Sequence, residues 1–298
     1  REAGVPDDVF HLLPGGDDNG KTIVASPDVD GITFTGSYAV GMSIYRDFAT
    51  AYPKPVICEM GGKNPSIVTA KADLDLAAQG IARSAFGFSG QKCSANSRVY
   101  VERDVYEELL AKVVERAGAL VVDDPSKRDT FVGPVIDAEA VSRFEAAVAH
   151  TKESGGTVAL GGEVLGASSD GTQGHYVAPT IVTGLPVEDR LFRDELFLPF
   201  VAIAPVDSLE QALDLANDTD LGLTAGFFST DEAEIEQFFD NIEAGVVYVN
   251  RPAGATTGAW PGVQPFGGWK GSGTYGNAGG GLYYVQQFMR EQSRTVVP

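Results

Sequence analysis

Residues 198–250, LPFVAIAPVDSLEQALDLANDTDLGLTAGFFSTDEAEIEQFFDNIEAGVVYVN, decide the fold. Leu198–Val206 is an apolar run of the kind a strand needs when both its faces are buried. Leu209–Ala216 carries its apolar residues at helical spacing, and Thr224–Phe228 reads as a second strand. Glu232–Ile242 is again helical, and Val246–Asn250 closes the stretch as a third strand. Strands alternating with helices in this way predict an α/β architecture built on a mostly parallel sheet.

The same alternation extends toward the start of the chain. Gly31–Thr35 (GITFT) reads as a short buried strand ending in Gly36-Ser37, followed by a helical stretch to about Ala51. Pro55–Met60 (PVICEM) is a further apolar run, closed by Gly61-Gly62. Asp73 caps a helix with Leu76, Ile81, Ala85 and Phe88 at roughly helical spacing. Ser97–Glu102 alternates like a strand. Asp104 is expected to cap a helix bearing Leu109, Leu110, Val113, Val114 and Ala117 on one face. Another helix is expected from Ala138 to Glu153, stopping at Gly155-Gly156. Past Asn250 the texture changes, because Arg251–Gly281 holds eleven glycines and little periodicity. Such a stretch is either a floppy loop or backbone that passes close to a ligand. Tyr283–Val297 reads as a closing strand.

At 298 residues the chain has room for about two domains. A hydrophobic share of 43% against 21% charged residues is globular composition and excludes general disorder. No apolar run reaches the ~18 residues of a membrane span, and the first residues, REAGVPDDVF, lack the features of a signal peptide, so a cytoplasmic location is expected. The formal net charge of −19 argues against nucleic acid as a partner. The acids recur in small groups (Asp123–Asp124, Asp231–Glu232) and the bases lean to Arg, a coat suited to a high-salt cytoplasm. Two cysteines make no disulfide framework, and His11, His150 and His175 show no metal-ligand spacing.

Few residues invite chemistry. Cys93 lies in SGQKCSANSR. A lone cysteine is commonly a small core residue, but these flanks are too polar for a core slot. Lys92 and the N–H groups of a Gly/Ser loop would favour the nucleophilic thiolate. Cys58, inside an apolar run, reads as buried and inert. Glu59 stands at a strand end beside a Gly-Gly pair that could act as a hinge, and partial desolvation would make it a general base near neutrality. From spacing alone, a surface ion pair between Glu59 and Lys63 is the simpler reading. Gly36 and Ser37 open a helix whose N-terminal amides could hold a pyrophosphate, although taken alone a plain tight turn is the simpler reading. Glu195 in DELFLPF could bind a ribose or face solvent.

Taken together, FTGS, CEMGGKNP, GQKCSANSR, DELFLPF and QPFGGWKGSG occur in the order and rough spacing of the aldehyde dehydrogenase superfamily, which the whole chain resembles. Glu59 and Cys93 are 34 positions apart, the separation that family shows between its general base and its catalytic cysteine. Cys93-Ser94, the segment VYVNRPAGATTGAWPGVQPFGGWKGSGT and the AGG of Ala278–Gly280 resemble one branch, 1-pyrroline-5-carboxylate dehydrogenase, which oxidises glutamate γ-semialdehyde to glutamate in proline catabolism. The resemblance implies an aldehyde dehydrogenase-like α/β fold. A partial Rossmann-type NAD(P)-binding domain would cover residues 1–57 and a catalytic domain 58–275. A substrate-anchor loop and oligomerisation arm would follow over 276–298.

The resemblance also implies roles. Cys93 would be the nucleophile, with its own N–H holding the alkoxide, and Glu59 would activate water. Gly36, Ser37, Gly61, Glu195 and Phe197 would bind the cofactor, NAD with NADP left open. Ser94, Gly279 and Gly280 would bind the substrate carboxylate, and the chain would assemble as a homo-oligomer. Three positions depart from the pattern: Leu198 replaces a glycine of the nicotinamide loop, Asn277 a common Lys, and Met60 a Leu. Family chains also begin earlier, so residues 1 to about 57 are expected to depend on an absent segment, a second polypeptide or an oligomer partner. Two further readings stay open: an aldehyde dehydrogenase for another substrate, and a truncated chain without turnover.

Overall fold

The computed structural model describes residues 4–6, 8–252, 264–274 and 279–298. The chain opens with α1 (Asp17–Ala25), β1 (Ile32–Thr35), α2 (Tyr38–Asp47), β2 (Val56–Glu59) and β3 (Asn64–Val68). It continues with α3 (Leu74–Phe86), β4 (Asn96–Glu102), α4 (Tyr106–Gly118), α5 (Ala138–Glu153), β5 (Thr157–Leu160) and β6 (Thr180–Thr183). β7 (Phe200–Val206), α6 (Leu209–Asn217), β8 (Leu221–Gly222), β9 (Thr224–Phe228), α7 (Glu232–Asn241), β10 (Val246–Val249) and β11 (Trp269–Lys270) complete it.

A seven-stranded sheet in the order β10-β9-β3-β4-β7-β6-β5 dominates, parallel except for β5. Its inner strands β9, β3, β4, β7 and β6 are largely buried on both faces, as their apolar runs require, while the edge strands β10 and β5 are half-buried. Alternate residues feed two cores: Ile67, Tyr100, Ala202 and Ala204 pack with α5, α6 and α7. Val68, Val99, Val101, Val201 and Ile203 pack with α3 and α4. Fully buried Phe144, Phe192, Phe227 and Phe238 are each worth about 1.5–3 kcal/mol of transfer free energy. The helix starts are fixed by side-chain caps, Asp73 accepting from the N–H of Asp75 and Leu76, and Ser208 from that of Gln211.

β1 and β2 pair in parallel as a separate two-stranded sheet, with α2 beside them. The outer face of α2 leaves Tyr38, Val40 and Tyr45 about half exposed. β8 and β11 form a short antiparallel pair.

Two expectations fail here. Asp104 does not cap α4: a 3-10 turn over Arg103–Val105 intervenes, and Val105 occupies the cap position without a side-chain bond. Tyr283–Val297 forms no strand. It makes a short 3-10 turn, Val285–Phe288, and then runs irregularly with Met289, Val296 and Val297 exposed. β3 escapes the sequence reading because Pro65 sits inside it. Proline is disfavoured in a central strand, and a register shift between Asn64 and Pro65 accommodates it.

Candidate active site

The carboxyl ends of β1 and β2 face the amino ends of β3, β4 and β9. The first pair delivers Thr35, Gly36, Glu59 and Met60; the second set begins with Asn64, Asn96 and Thr224. Into this crevice the connection from α3 to β4 carries Cys93. That connection turns sharply, with Phe88, Ser89 and Gly90 in left-handed conformation at φ 57°, 56° and 66°. Each non-glycine residue there costs roughly 1–2 kcal/mol. Anchors on the 133–136 segment hold the turn. Ser89 Oγ donates to Gly133 O at 2.9 Å, and Gln91 Oε1 accepts from Ile136 N at 2.9 Å. Gly90 is required on two counts, since a Cβ there would lie 2.1 Å from Leu198 O.

A cavity of about 770 Å³ opens over Cys93. Gly36 and Ser37 stand in its wall, as do Gly61, Ser94, Glu195 and Phe197. Cys93 is half-buried, unlike Cys58, which is 1% exposed as expected of an inert core residue.

The charges around the sulfur are not those expected. Burial, then the carboxylates of Glu195 and Glu59, push the Cys93 thiol up, outweighing the N–H groups of Cys93 and Ser94 that favour its anion. Lys92 is pushed down by its own burial, against the attraction of the Cys93 charge. Glu195 is also pushed up by burial, with one oxygen accepting from Gly62 N at 2.9 Å.

Glu59 is pushed up to about 7 by burial, against an opposing hydrogen bond from the Gly279 N–H. Its Oε2 is buried without a partner, and its side chain is not part of the cavity wall. The expected surface pair with Lys63 is not formed: Lys63 is 2% exposed and pushed down to about 7, chiefly by burial and then by Arg98. Gly61 and Gly62 are closely packed: a Cβ on Gly61 would lie 2.0 Å from Glu195 Oε2, and one on Gly62 would lie 2.3 Å from Cys93 O. The glycines seat Glu195 and the Cys93 loop.

The described part of the glycine-rich segment braces Glu59. Met60 N donates to Ser272 O at 2.8 Å, Thr274 N to Cys58 O at 3.0 Å, and Ser272 Oγ to Gly61 O at 2.6 Å. Glu59 is thereby held between β1 and the 272–274 segment. Gly279 bridges to Phe266, and Gly280 takes φ 73°. Asn277 and Ala278 lie outside the described residues, as do residues 253–263 of the 247–274 segment.

The other expected residues are placed as follows. Ser37 is the N-cap of α2, its Oγ accepting from Val40 N at 3.4 Å. Ser94 is fully buried behind Cys93. Phe197 adopts φ 59° on the cavity wall, while Leu198, the residue in place of a glycine, turns its side chain into the core. Sequence reasoning missed Arg143, Phe266, Ser272 and Asn64. Arg143 and Phe266 line the cavity. Arg143 could be found only by placing its face of α5, and Asn64 stood inside the CEMGGKNP motif with no role of its own.

Comparison with known proteins agrees with this geometry. The chain is 41% identical to 1-pyrroline-5-carboxylate dehydrogenase 1 of Halalkalibacterium halodurans over 99% of its length and 56% of that protein's. It is 40% identical to the 1-pyrroline-5-carboxylate dehydrogenase of Bacillus subtilis, covering 96% of the chain and 55% of the relative. A Thermus 1-pyrroline-5-carboxylate dehydrogenase solved with bound NAD superimposes with a TM-score of 0.87 at 38% identity, over 96% of this chain and 55% of the other. The chain thus spans about half the length of the curated relatives it matches. Residues 1–294 match the profile of the Aldehyde dehydrogenase family, and with the fold and the cysteine-centred cavity in agreement, the chain belongs to that family.

Proposed function

We propose that the chain carries the thiol chemistry of an NAD-dependent dehydrogenase that oxidises glutamate γ-semialdehyde, the open form of 1-pyrroline-5-carboxylate, to glutamate. The observation that carries this reading is Cys93 at the base of a cavity it shares with Glu195 and the start of α2, within charge range of Glu59. The names of the relatives supply the substrate, and the NAD-bound Thermus structure supplies the cofactor.

The residues present fit a dinucleotide. The cavity has the size of a small-molecule site. The first turn of α2, with Gly36 and Ser37, offers N–H groups to a pyrophosphate. Glu195 would meet ribose hydroxyls, Phe197 would pack beside the nicotinamide, and Gly61 keeps the floor below Glu195 clear. When bound, the nicotinamide supplies the hydride acceptor.

The chain's own residues do the rest. Cys93 Sγ bonds to the aldehyde carbon, its proton leaving to Glu59, which titrates near neutrality and can accept it. The Cys93 N–H holds the resulting alkoxide. After hydride loss the carbon is a thioester on Cys93. Glu59, having passed the first proton to solvent, then takes one from water, and the hydroxyl adds to the thioester. The C–S bond breaks, and the departing thiolate takes that proton back from Glu59. This leaves the thiol and the carboxylic acid, which ionises to the carboxylate. Ser94 and Gly280 would bind the substrate's α-carboxylate. Gly279 would share its N–H between that group and Glu59. Residues 1–57 would serve cofactor binding, 58–275 catalysis, and 276–298 substrate anchoring and assembly with a second copy.

The test is NADH formation from glutamate semialdehyde, measured for this chain and for the chain joined to the N-terminal segment of the Bacillus subtilis relative. Turnover by the joined protein that Cys93→Ala abolishes, with NAD binding retained, is expected. Turnover undiminished in Cys93→Ala would overturn the reading. A preference for another aldehyde would favour a sister specificity, and turnover confined to the joined protein would make this chain inactive alone.

A further inference from the structure

We infer that Asn64 is a positioning residue for Cys93: its carboxamide fixes the peptide joining Cys93 to Ser94 and so aims the Ser94 N–H at the sulfur. The inference rests on the reading of Cys93 as the nucleophile and deepens it.

Asn64 is 2% exposed at the first position of β3. Its Nδ2 donates to Cys93 O at 2.8 Å and to Ala95 O at 2.8 Å, and its Oδ1 accepts from Thr224 N at 3.0 Å. The orientation of the amide follows from chemistry, because a backbone N–H can only donate and the two carbonyls can only accept. One side chain therefore ties the nucleophile loop to the starts of β3 and β9 and uses both of its donor hydrogens on that loop.

The peptide after Cys93 is planar, and its C=O and N–H point in opposite directions. Gripping Cys93 O from below turns the Ser94 N–H toward the sulfur, where it acts as one of the two backbone groups favouring the anion. Gly62 completes the grip: a Cβ there would stand 2.3 Å from Cys93 O and 2.6 Å from Asn64 Oδ1, so only glycine lets the carbonyl seat. Asn64 is itself backed by Asn96, whose Nδ2 donates to Asn64 O at 3.0 Å. The charged groups acting on the sulfur, Glu195, Glu59 and Lys92, all come from elsewhere and are untouched by the carboxamide.

The test measures alkylation of Cys93 by iodoacetamide against pH, read by mass spectrometry of the Cys93 peptide, with buried Cys58 as internal reference. Asn64→Ala should slow alkylation near neutrality about tenfold and move its midpoint up by about one pH unit. Asn64→Ser, which keeps one donor, should fall between the two and serves if the alanine variant does not fold. Asn217→Ala removes a carboxamide that also bonds two backbone groups, Asn241 O and Glu243 N, but none of the Cys93 loop, and its midpoint should stay at the parent's. An unmoved midpoint in Asn64→Ala overturns the inference, as does an equal shift in Asn217→Ala, which would signal general loosening. A parent Cys93 no more reactive than Cys58 at any pH would instead remove the nucleophile reading itself.

Discussion

Replacing Glu59 by Gln should stabilise the protein in alkaline buffer and leave it nearly unchanged in acid. The folded protein holds this carboxyl at about 7 against an ordinary 4.5, because burial opposes its charge. Between those values the folded state keeps a proton that the unfolded chain releases. The parent's stability is therefore full below about 4.5 and falls as pH rises through about 7. At about 1.4 kcal/mol per tenfold change in proton affinity, the full effect is about 3 kcal/mol. Glu59 is only partly buried, so solvent screening reduces this to about 1–2 kcal/mol. For a chain of this size that is a difference of a few degrees in Tm. Thermal unfolding of parent and Glu59→Gln, compared at about pH 5 and about pH 8.5, should show the variant's advantage growing with pH. A gap that is constant with pH, or a parent that gains on the variant across the window, would refute the assignment of a desolvated carboxyl to Glu59.

Gly90→Ala should lose more than about 2 kcal/mol, since it combines a left-handed backbone with a Cβ placed 2.1 Å from Leu198 O; urea unfolding that matches the parent would contradict it. Arg98→Met should destabilise by about 3 kcal/mol in the same assay, because it strands the buried carbonyls of Lys63, Leu215 and Ala216 that the guanidinium now serves. With a net charge of −19, Tm should rise from low salt to about 3 M KCl as screening relieves self-repulsion, and a maximum at low salt would count against the high-salt reading of the acidic coat.

Legibility followed local physics. From β7 to β10 the expected bounds lie within two residues of the observed ones, because buried parallel strands read as apolar runs and Ser208 and Asp231 mark the helix starts. β7 begins at Phe200 rather than Leu198, since Leu198 and Pro199 are spent on the approach past Gly90. β5 and β6, four residues each, carry too little pattern to stand out. The polar setting of Cys93 was legible from its flanks and the strand-end place of Glu59 from the apolar run before it. The burial of Glu59 was not, since spacing favoured a surface pair with Lys63. What could not be read was which groups share space. The seat that Gly61 and Gly62 make for Glu195, and the brace of Ser272 and Thr274 behind Glu59, join residues more than a hundred positions apart. Lys92 told only part of the story: it does feel the Cys93 charge, but burial works against its ammonium, and the thiol is pushed up all the same.

That last point changes how the site works. A buried sulfur with Glu195 and Glu59 nearby is a poor anion at rest, and two backbone N–H groups do not reverse this. Reactivity then depends on what enters the cavity. Any ligand that hydrogen-bonds to Glu195 or brings positive charge beside the sulfur weakens the opposition, and protonation of Glu59 near 7 weakens it further. The same carboxylates that suppress the thiolate in the open cavity are the groups a bound cofactor and an activated water would engage. The rigid part of this arrangement is the backbone beneath the sulfur, gripped by Asn64 and Gly62; the adjustable part is the charge above it.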